Sequence, residues 1–403
     1  MKNQILKRVL ILSLVLALAP VFSLGAKDFG ILLDQSVSFD DSLDFKYSAT
    51  LIPWFSTPMG KRSDFFISAG VSAGYEFNEW KIIPELLRTE FLFNMAESGE
   101  LKIGRFFYSD PLGFVASGLF DGVYYSVDIG EVSTIGTGLW YTGFLYKKNA
   151  NIAMTQDEAN TYAEPVDYSD FYRTYFAPGR LVFAFDWQHP GIKELIRFDL
   201  ALVAQIDLFG GASGYHSQYL IGKAVLPVKN FVFDIGICAE LAENSGQAEL
   251  SFAGELEIDW YLPTKIYDRL SFLGRFSTGV LNSIMRSFEP ITTVSHGGIL
   301  KAKLAGISML RLEYTARPHE SFSFGLQSSY FILSDLGTYE GLPAGPYNGH
   351  FLGNEFYGFL VWGPISDIQI RAGGGAFLPV LGNANRNAAT LWRADLSILL
   401  SLF

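Results

Sequence analysis

Apolar and polar residues alternate along most of this chain with a period of two, the repeat of a strand that is apolar on one face and polar on the other. In 196–208 the set Ile196, Phe198, Leu200, Leu202, Ala204, Ile206 and Leu208 interleaves with Arg197, Asp199, Gln205 and Asp207. In 231–241 Phe231, Phe233, Ile235, Ile237 and Leu241 alternate with Asp234, Gly236, Cys238 and Glu240. The segment 248–262 sets Leu250, Phe252, Leu256, Ile258 and Trp260 against Glu249, Ser251, Glu255, Glu257 and Asp259, and 270–280 sets Phe272 and Phe276 against Ser271 and Arg275. Charges at every second position do not fit a core buried on both sides. These segments run 11 to 15 residues. Strands of soluble sandwiches are typically about five or six residues long, whereas a tilted strand crosses a bilayer with about 9–11.

Extending the pattern predicts about eighteen strands, with sixteen as the alternative. They begin near Phe29, Phe45, Phe65, Lys81, Leu101, Leu119, Val132, Leu181, Leu195, Tyr215, Phe231, Gln247, Tyr267, Gly298, Phe322, His350, Asp367 and Leu391. Bacterial barrels have short turns at one rim and longer loops at the other. The four longest connections, 147–179, 281–297, 336–349 and 380–389, all follow odd-numbered strands. Connections after even-numbered strands are tight, and proline recurs in them, as turn chemistry favours. The predicted fold class is therefore all-β: a transmembrane antiparallel up-and-down β-barrel that occupies 27–403 without a plug or a second domain.

Composition narrows the setting. Apolar residues make up 49% and charged residues 18%, against roughly 25% charged in soluble domains. Yet no stretch after the amino terminus supplies the roughly 20 apolar residues of a helical span. Residues 1–26 have the parts of a cleaved Sec-type signal: Lys2, Lys7 and Arg8, an apolar run from Val9 to Phe22, then Ser23, Leu24, Gly25 and Ala26. Without the signal the chain carries 27 basic and 41 acidic residues, a net charge of −14, which opposes a nucleic-acid role. Cys238 is the single cysteine, so no internal disulfide forms and its thiol is expected to be structural. The last strand, 392–403, ends in Phe403, as outer-membrane barrels do where they meet their assembly machinery. Its apolar alternation through Leu396, Ile398, Leu400 and Leu402 is one residue out of phase with Phe403.

Two short stretches carry a family likeness. Lys102-Ile103-Gly104-Arg105, continuing to Leu119-Phe120-Asp121-Gly122, resembles a stretch common among bacterial porins. Leu352-Gly353-Asn354-Glu355, with Trp362-Gly363-Pro364 and Gly373-Gly374-Gly375, resembles the penultimate hairpin of alginate-export-type barrels, except that Tyr357 stands where an acidic residue is usual. Both resemblances imply an outer-membrane channel class without naming a solute.

Inside such a barrel the candidates for the lumen or its constriction are Arg105, an acidic wall of Asp234, Glu240, Glu249, Glu255, Glu257 and Asp259, and Arg269, Arg275, Arg311, Arg371 and Arg393 beyond it. Opposed rings of charge would sort solutes by sign. The competing reading is neighbour pairing, with Arg275 satisfying Glu255 or Glu257 across adjacent strands. The acidic, tyrosine-rich segment 147–179 could constrict the lumen, contact ligands outside, or be a surface loop. None of His189, His216, His296, His319 and His350 falls in a catalytic or metal-binding motif, so no enzyme, cofactor or metal is expected. The expected partners are outer-membrane lipid, the assembly machinery and small solutes. The leading reading is a porin-like channel for small hydrophilic solutes in the outer membrane of a diderm bacterium. The alternatives are a fatty-acid-type transporter of hydrophobic compounds and a closed barrel acting as adhesin or surface antigen.

Overall fold

The computed structural model describes residues 28–402 apart from 43–44, 77–78, 96–97, 131, 154–161, 163–164, 193–194, 210–213, 245–246, 281–284, 338–341 and 343–345. The proposed signal, 1–26, and Phe403 lie outside the described residues. Eighteen strands follow one another: β1 (Asp28–Asp40), β2 (Phe45–Pro58), β3 (Ser63–Glu76), β4 (Glu79–Met95), β5 (Gly99–Ser109), β6 (Ser117–Ile129), β7 (Ser133–Tyr141), β8 (Arg180–Ile192) and β9 (Ile196–Asp207) form the first half. The second half is β10 (Tyr215–Val228), β11 (Phe231–Asn244), β12 (Gln247–Tyr261), β13 (Arg269–Ser277), β14 (Ile307–His319), β15 (Phe322–Leu333), β16 (Phe351–Ile365), β17 (Ile368–Leu378) and β18 (Leu391–Leu402). One short helix, α1 (Phe171–Tyr175), lies in the β7–β8 connection.

Each strand pairs antiparallel with its chain neighbours, and β1 pairs with β18 from Ile31 opposite Leu402 to Asp40 opposite Arg393. Closure joins the first strand to the last and so removes the two outer edges that an open sheet of this size would expose. The period-two pattern then divides the wall. On β11, Ile235 and Ile237 are exposed on the outside while Cys238 and Glu240 are buried inside. Aromatic pairs sit near strand ends, among them Phe231 stacked on Trp260 at 5.8 Å and Tyr75 against Trp80 at 5.3 Å.

Seventeen of the strands begin within two residues of the positions read from the sequence; β14 is the exception. Its expected start at Gly298 is corrected to Ile307. The apolar residues Leu300, Ala302 and Leu304 that suggest a strand belong to the β13–β14 connection, which folds inward. Leu300 and Ala302 pack there with Met309, Phe331 and Phe377 inside the barrel. An apolar run of this length serves equally well as a strand or as the core of a loop, and periodicity alone does not separate them.

Three long-loop-rim connections meet inside the barrel. The amides of Ile291 and Thr292 donate to the Val115 carbonyl at 2.8 and 3.0 Å, and the Ala153 amide donates to Ile291 at 2.9 Å. Phe114, Val115, Leu145, Ile152, Phe288 and Ile291 then form one apolar cluster with inward residues of β5 to β12. This half of the lumen is packed, not open.

Candidate functional site

Carboxylates hold the inward-folded connections to the wall and to themselves. Asp110 accepts from the amides of Leu112, Gly113, Val115 and Ala116 at 2.8 to 3.1 Å. Glu355 on β16 accepts from the amides of Gly298, Ile299 and Leu300 at 2.7 to 2.9 Å. Glu240 on β11 accepts from the Glu289 amide at 3.0 Å and from the Tyr215 hydroxyl at 2.5 Å. Charge-assisted bonds of this kind are stronger than neutral ones and fix a loop that would otherwise lack a ladder. His296, in the β13–β14 connection, accepts from Arg275 at 2.9 Å. Burial and the neighbouring Arg275 and Arg311 guanidinium groups push its imidazole down to about 3, so it stays neutral.

The acidic wall faces inward. Asp234 stands opposite Glu257 across β11 and β12, Val232 opposite Asp259, and Ala242 opposite Glu249. Its charges are matched by neighbours: Arg275 with Glu255 at 2.6 Å, Arg269 with Asp259 at 3.2 Å, and Arg286 with Glu249 at 3.1 Å. Lys223 on β10, which is not among the candidates read from the sequence, lies 2.9 Å from Asp234 and 3.8 Å from Glu255. Asp234, Glu255 and Glu257 present oxygens within 4.8 Å of one another, with Lys223 and Arg275 as counter-charges. Arg311 donates to Ser329 at 3.1 Å and to the His296 carbonyl, Arg371 lies over the Phe359 ring at 5.0 Å, and Arg393 lies 3.6 Å from Asp395. The inward charges therefore form a paired network on β10 to β14, beside the packed half of the lumen.

Arg105 sits elsewhere, buried in the wall at the junction of β4 and β5. It grips Asp121 on β6 with two bonds of 2.8 and 2.7 Å and also donates to the carbonyls of Leu86 and Phe144. The glycines flanking this pair have a reason. Gly104 has φ +119°, and a Cβ there would lie 1.9 Å from the Thr89 carbonyl oxygen.

A polar space lies along β1 to β4. A cavity of about 440 Å³ is lined there by Ser36, Ser48, Thr50 and Ser72 on the wall, by Lys46 and Lys81, and by Tyr146, Lys148 and Asn149 of the β7–β8 connection. Lys46 pairs with Asp40 at 3.2 Å. Three ammonium groups, one of them paired with Asp40, thus border this cavity among hydroxyls. None of these lysines is singled out in the sequence, because Lys46, Lys81 and the Lys147-Lys148 pair are far apart in the chain and the cavity they share appears only when those segments meet.

Eighteen strands in meander order, closed on themselves, with loops folded into the lumen, define the architecture. It is the fold of the Pseudomonas aeruginosa Occ proteins. Superposition on OpdQ from that organism gives a TM-score of 0.62 at 11% identity, over 94% of this chain and 99% of the other. The P. aeruginosa outer membrane protein OpdK gives 0.61 at 11% identity, over 94% and 98% of the two chains. OccK2 (OpdF) from P. aeruginosa, in complex with glucuronate, gives 0.60 at 10% identity, over 93% and 98%. No protein-family model matches the chain, and no curated protein matches it in sequence.

Proposed function

We propose that this protein is an outer-membrane, porin-like channel through which small hydrophilic solutes diffuse, with a preference for anions. The observation that carries the reading is the polar, lysine-bearing cavity inside a closed barrel whose outward face is apolar. The likeness to Occ barrels supports it, as does the glucuronate in complex with OccK2, a sugar acid with one carboxylate. The resemblance of β16 and β17 to alginate-export barrels points the same way.

In this reading residues 1–26 direct export and are removed, and the barrel 27–403 is the mature protein in the outer membrane of a diderm bacterium. The strand ending in Phe403 meets the assembly machinery, outer-membrane lipid surrounds the wall, and no catalytic role is assigned.

Single-channel recording of the refolded protein in planar bilayers, with a salt gradient across the membrane, tests the proposal. Stable open steps with an anion-selective reversal potential are expected. Changing Lys46, Lys81 and Lys148 together to Gln is expected to move the reversal potential toward cation preference. A folded, heat-modifiable barrel that never conducts would sink the channel reading.

A further inference from the structure

The barrel wall is not laddered everywhere. β4 pairs with β3 from Glu79 to Phe93, but with β5 only over 89–95. Among the described residues, the ten residues of β4 at 79–88 therefore have a strand on one side and none on the other. Their carbonyls are met by side chains instead: Ile82 by the Tyr168 hydroxyl, Pro84 by the Tyr175 hydroxyl at 2.7 Å, and Leu86 by Arg105. Ile82, Pro84 and Leu86 are alternate residues, so their backbone groups point to the same side of the strand. The missing N–H of Pro84 then falls on this unpaired side, where proline is tolerated in a sheet.

Two of those side chains belong to the β7–β8 connection. Its two arms are joined by hydrogen bonds from Lys147 to Tyr175 at 3.0 Å and from Ala177 to Leu145 at 2.9 Å. Tyr146 stacks on Tyr175 at 4.8 Å, and Phe171 stacks on Tyr175 at 4.3 Å. Tyr146 and Asn149 also line the lysine-bearing cavity, and Asn149 donates to Glu85 of β4 at 2.6 Å. One packed set of residues thus separates the cavity from the seam. Outside the seam, Phe107 and Phe144 are exposed.

We propose that the β4–β5 seam is a lateral portal, latched by Tyr168, Tyr175 and Arg105, through which a single-chain amphiphile with an anionic head passes between the cavity and the surrounding bilayer. The inference rests on the membrane reading above. A wall held, among the described residues, by side-chain bonds to alternate carbonyls opens at lower cost than one held by a continuous ladder, whose backbone groups would all be stranded in hydrocarbon. The ammonium groups of Lys81 and Lys148 meet the head, and the aromatic stack of Tyr146, Phe171 and Tyr175 meets the apolar chain.

The test uses the full-length protein in phosphatidylcholine vesicles with dodecanoate carrying a diazirine at its terminal carbon. After photolysis, label is expected on peptides containing 79–88 and 144–153, competed by dodecanoate and not by dodecyltrimethylammonium. Lys81→Gln with Lys148→Gln is expected to lower labelling about tenfold, as loss of two partly screened charge contacts allows. Tyr168→Phe with Tyr175→Phe removes the latching hydroxyls and is expected to raise both labelling and amide exchange in 79–88. Heat-modifiable mobility verifies that each variant is folded. Label spread evenly over the outward face, or unchanged by the lysine substitutions, would overturn the portal. So would protection of 79–88 that rises with protein concentration in place of labelling, which would make the seam a contact with a second copy. Conductance recorded on the same preparation separates the two readings: conduction without seam labelling removes the portal alone, and labelling without conduction removes the channel alone.

Discussion

Arg105 shows how much of the wall one side chain can hold. Its guanidinium joins β5, β6, β4 and the β7–β8 connection through Asp121 and two carbonyls. Arg105→Ala strands a carboxylate and two carbonyls and is expected to destabilise the barrel by about 3–5 kcal/mol, measured by urea titration of the folded, heat-modifiable band. Arg105→Lys is expected to recover little, because an ammonium cannot form the paired fork on Asp121. His296 carries a pH dependence of definite sign. Its imidazole is held near 3 when the connection is docked, against an ordinary 6.5 when it is not. The protonated undocked form therefore gains population as pH falls. Docking is unaffected above pH 6.5 and weakens by about 1.4 kcal/mol per pH unit below it, until near pH 3. Amide exchange in 285–304 is expected to quicken across that window, and His296→Gln to reduce the dependence to what the carboxylates holding the same connection contribute.

At the scale of elements, the connections matter as much as the strands. The β13–β14 connection is held by Glu355 and Glu240, and its apolar residues extend two cores into the lumen. Glu355→Gln keeps the shape but loses the charge on three converging amides. An undocking cost of about 1–3 kcal/mol is expected, read as faster exchange at 298–300 with the strands unaffected. Replacing 286–304 by a short Gly/Ser linker is expected to raise unit conductance several-fold, since an eighteen-stranded barrel is wide enough for a water-filled channel unless something fills it. Unchanged conductance would mean that the connection does not restrict the path. The strands are legible because each repeats a two-residue pattern over a bilayer-length segment, as 231–241 does. The connection at 298–306 mimics a strand in sequence because its apolar residues meet partners on β14, β15 and β17 that no local pattern reveals.

At the scale of the whole molecule, the lumen is asymmetric. One side is packed and carries the paired acid–base network of β10 to β14; the other, along β1 to β4, keeps a polar space with three lysines. Anion preference despite a formal net charge of −11 for the chain is the expected signature, because a solute senses the groups that line its path more than the total charge. Neutralising Glu249 and Asp259, which lie outside the lysine-bearing cavity, is expected to change the reversal potential less than neutralising the three lysines that line it. The seam between β4 and β5 adds a second departure from symmetry, invisible in a strand count and in the overall fold.

Sequence alone determined what local periodicity can encode: the all-β class, a barrel of sixteen to eighteen strands, the inward parity of Asp234, Glu240, Glu255 and Arg275, and the rim from which the long connections leave. Each follows from the alternation of side chains along a single extended segment. Tertiary structure decided which inward charges are spent on one another, where the connections go, which wall borders the free space, and where the ladder stops. Those depend on distances between residues far apart in the chain, such as Arg105 and Phe144 or Glu355 and Leu300, and only closure of the barrel fixes such distances.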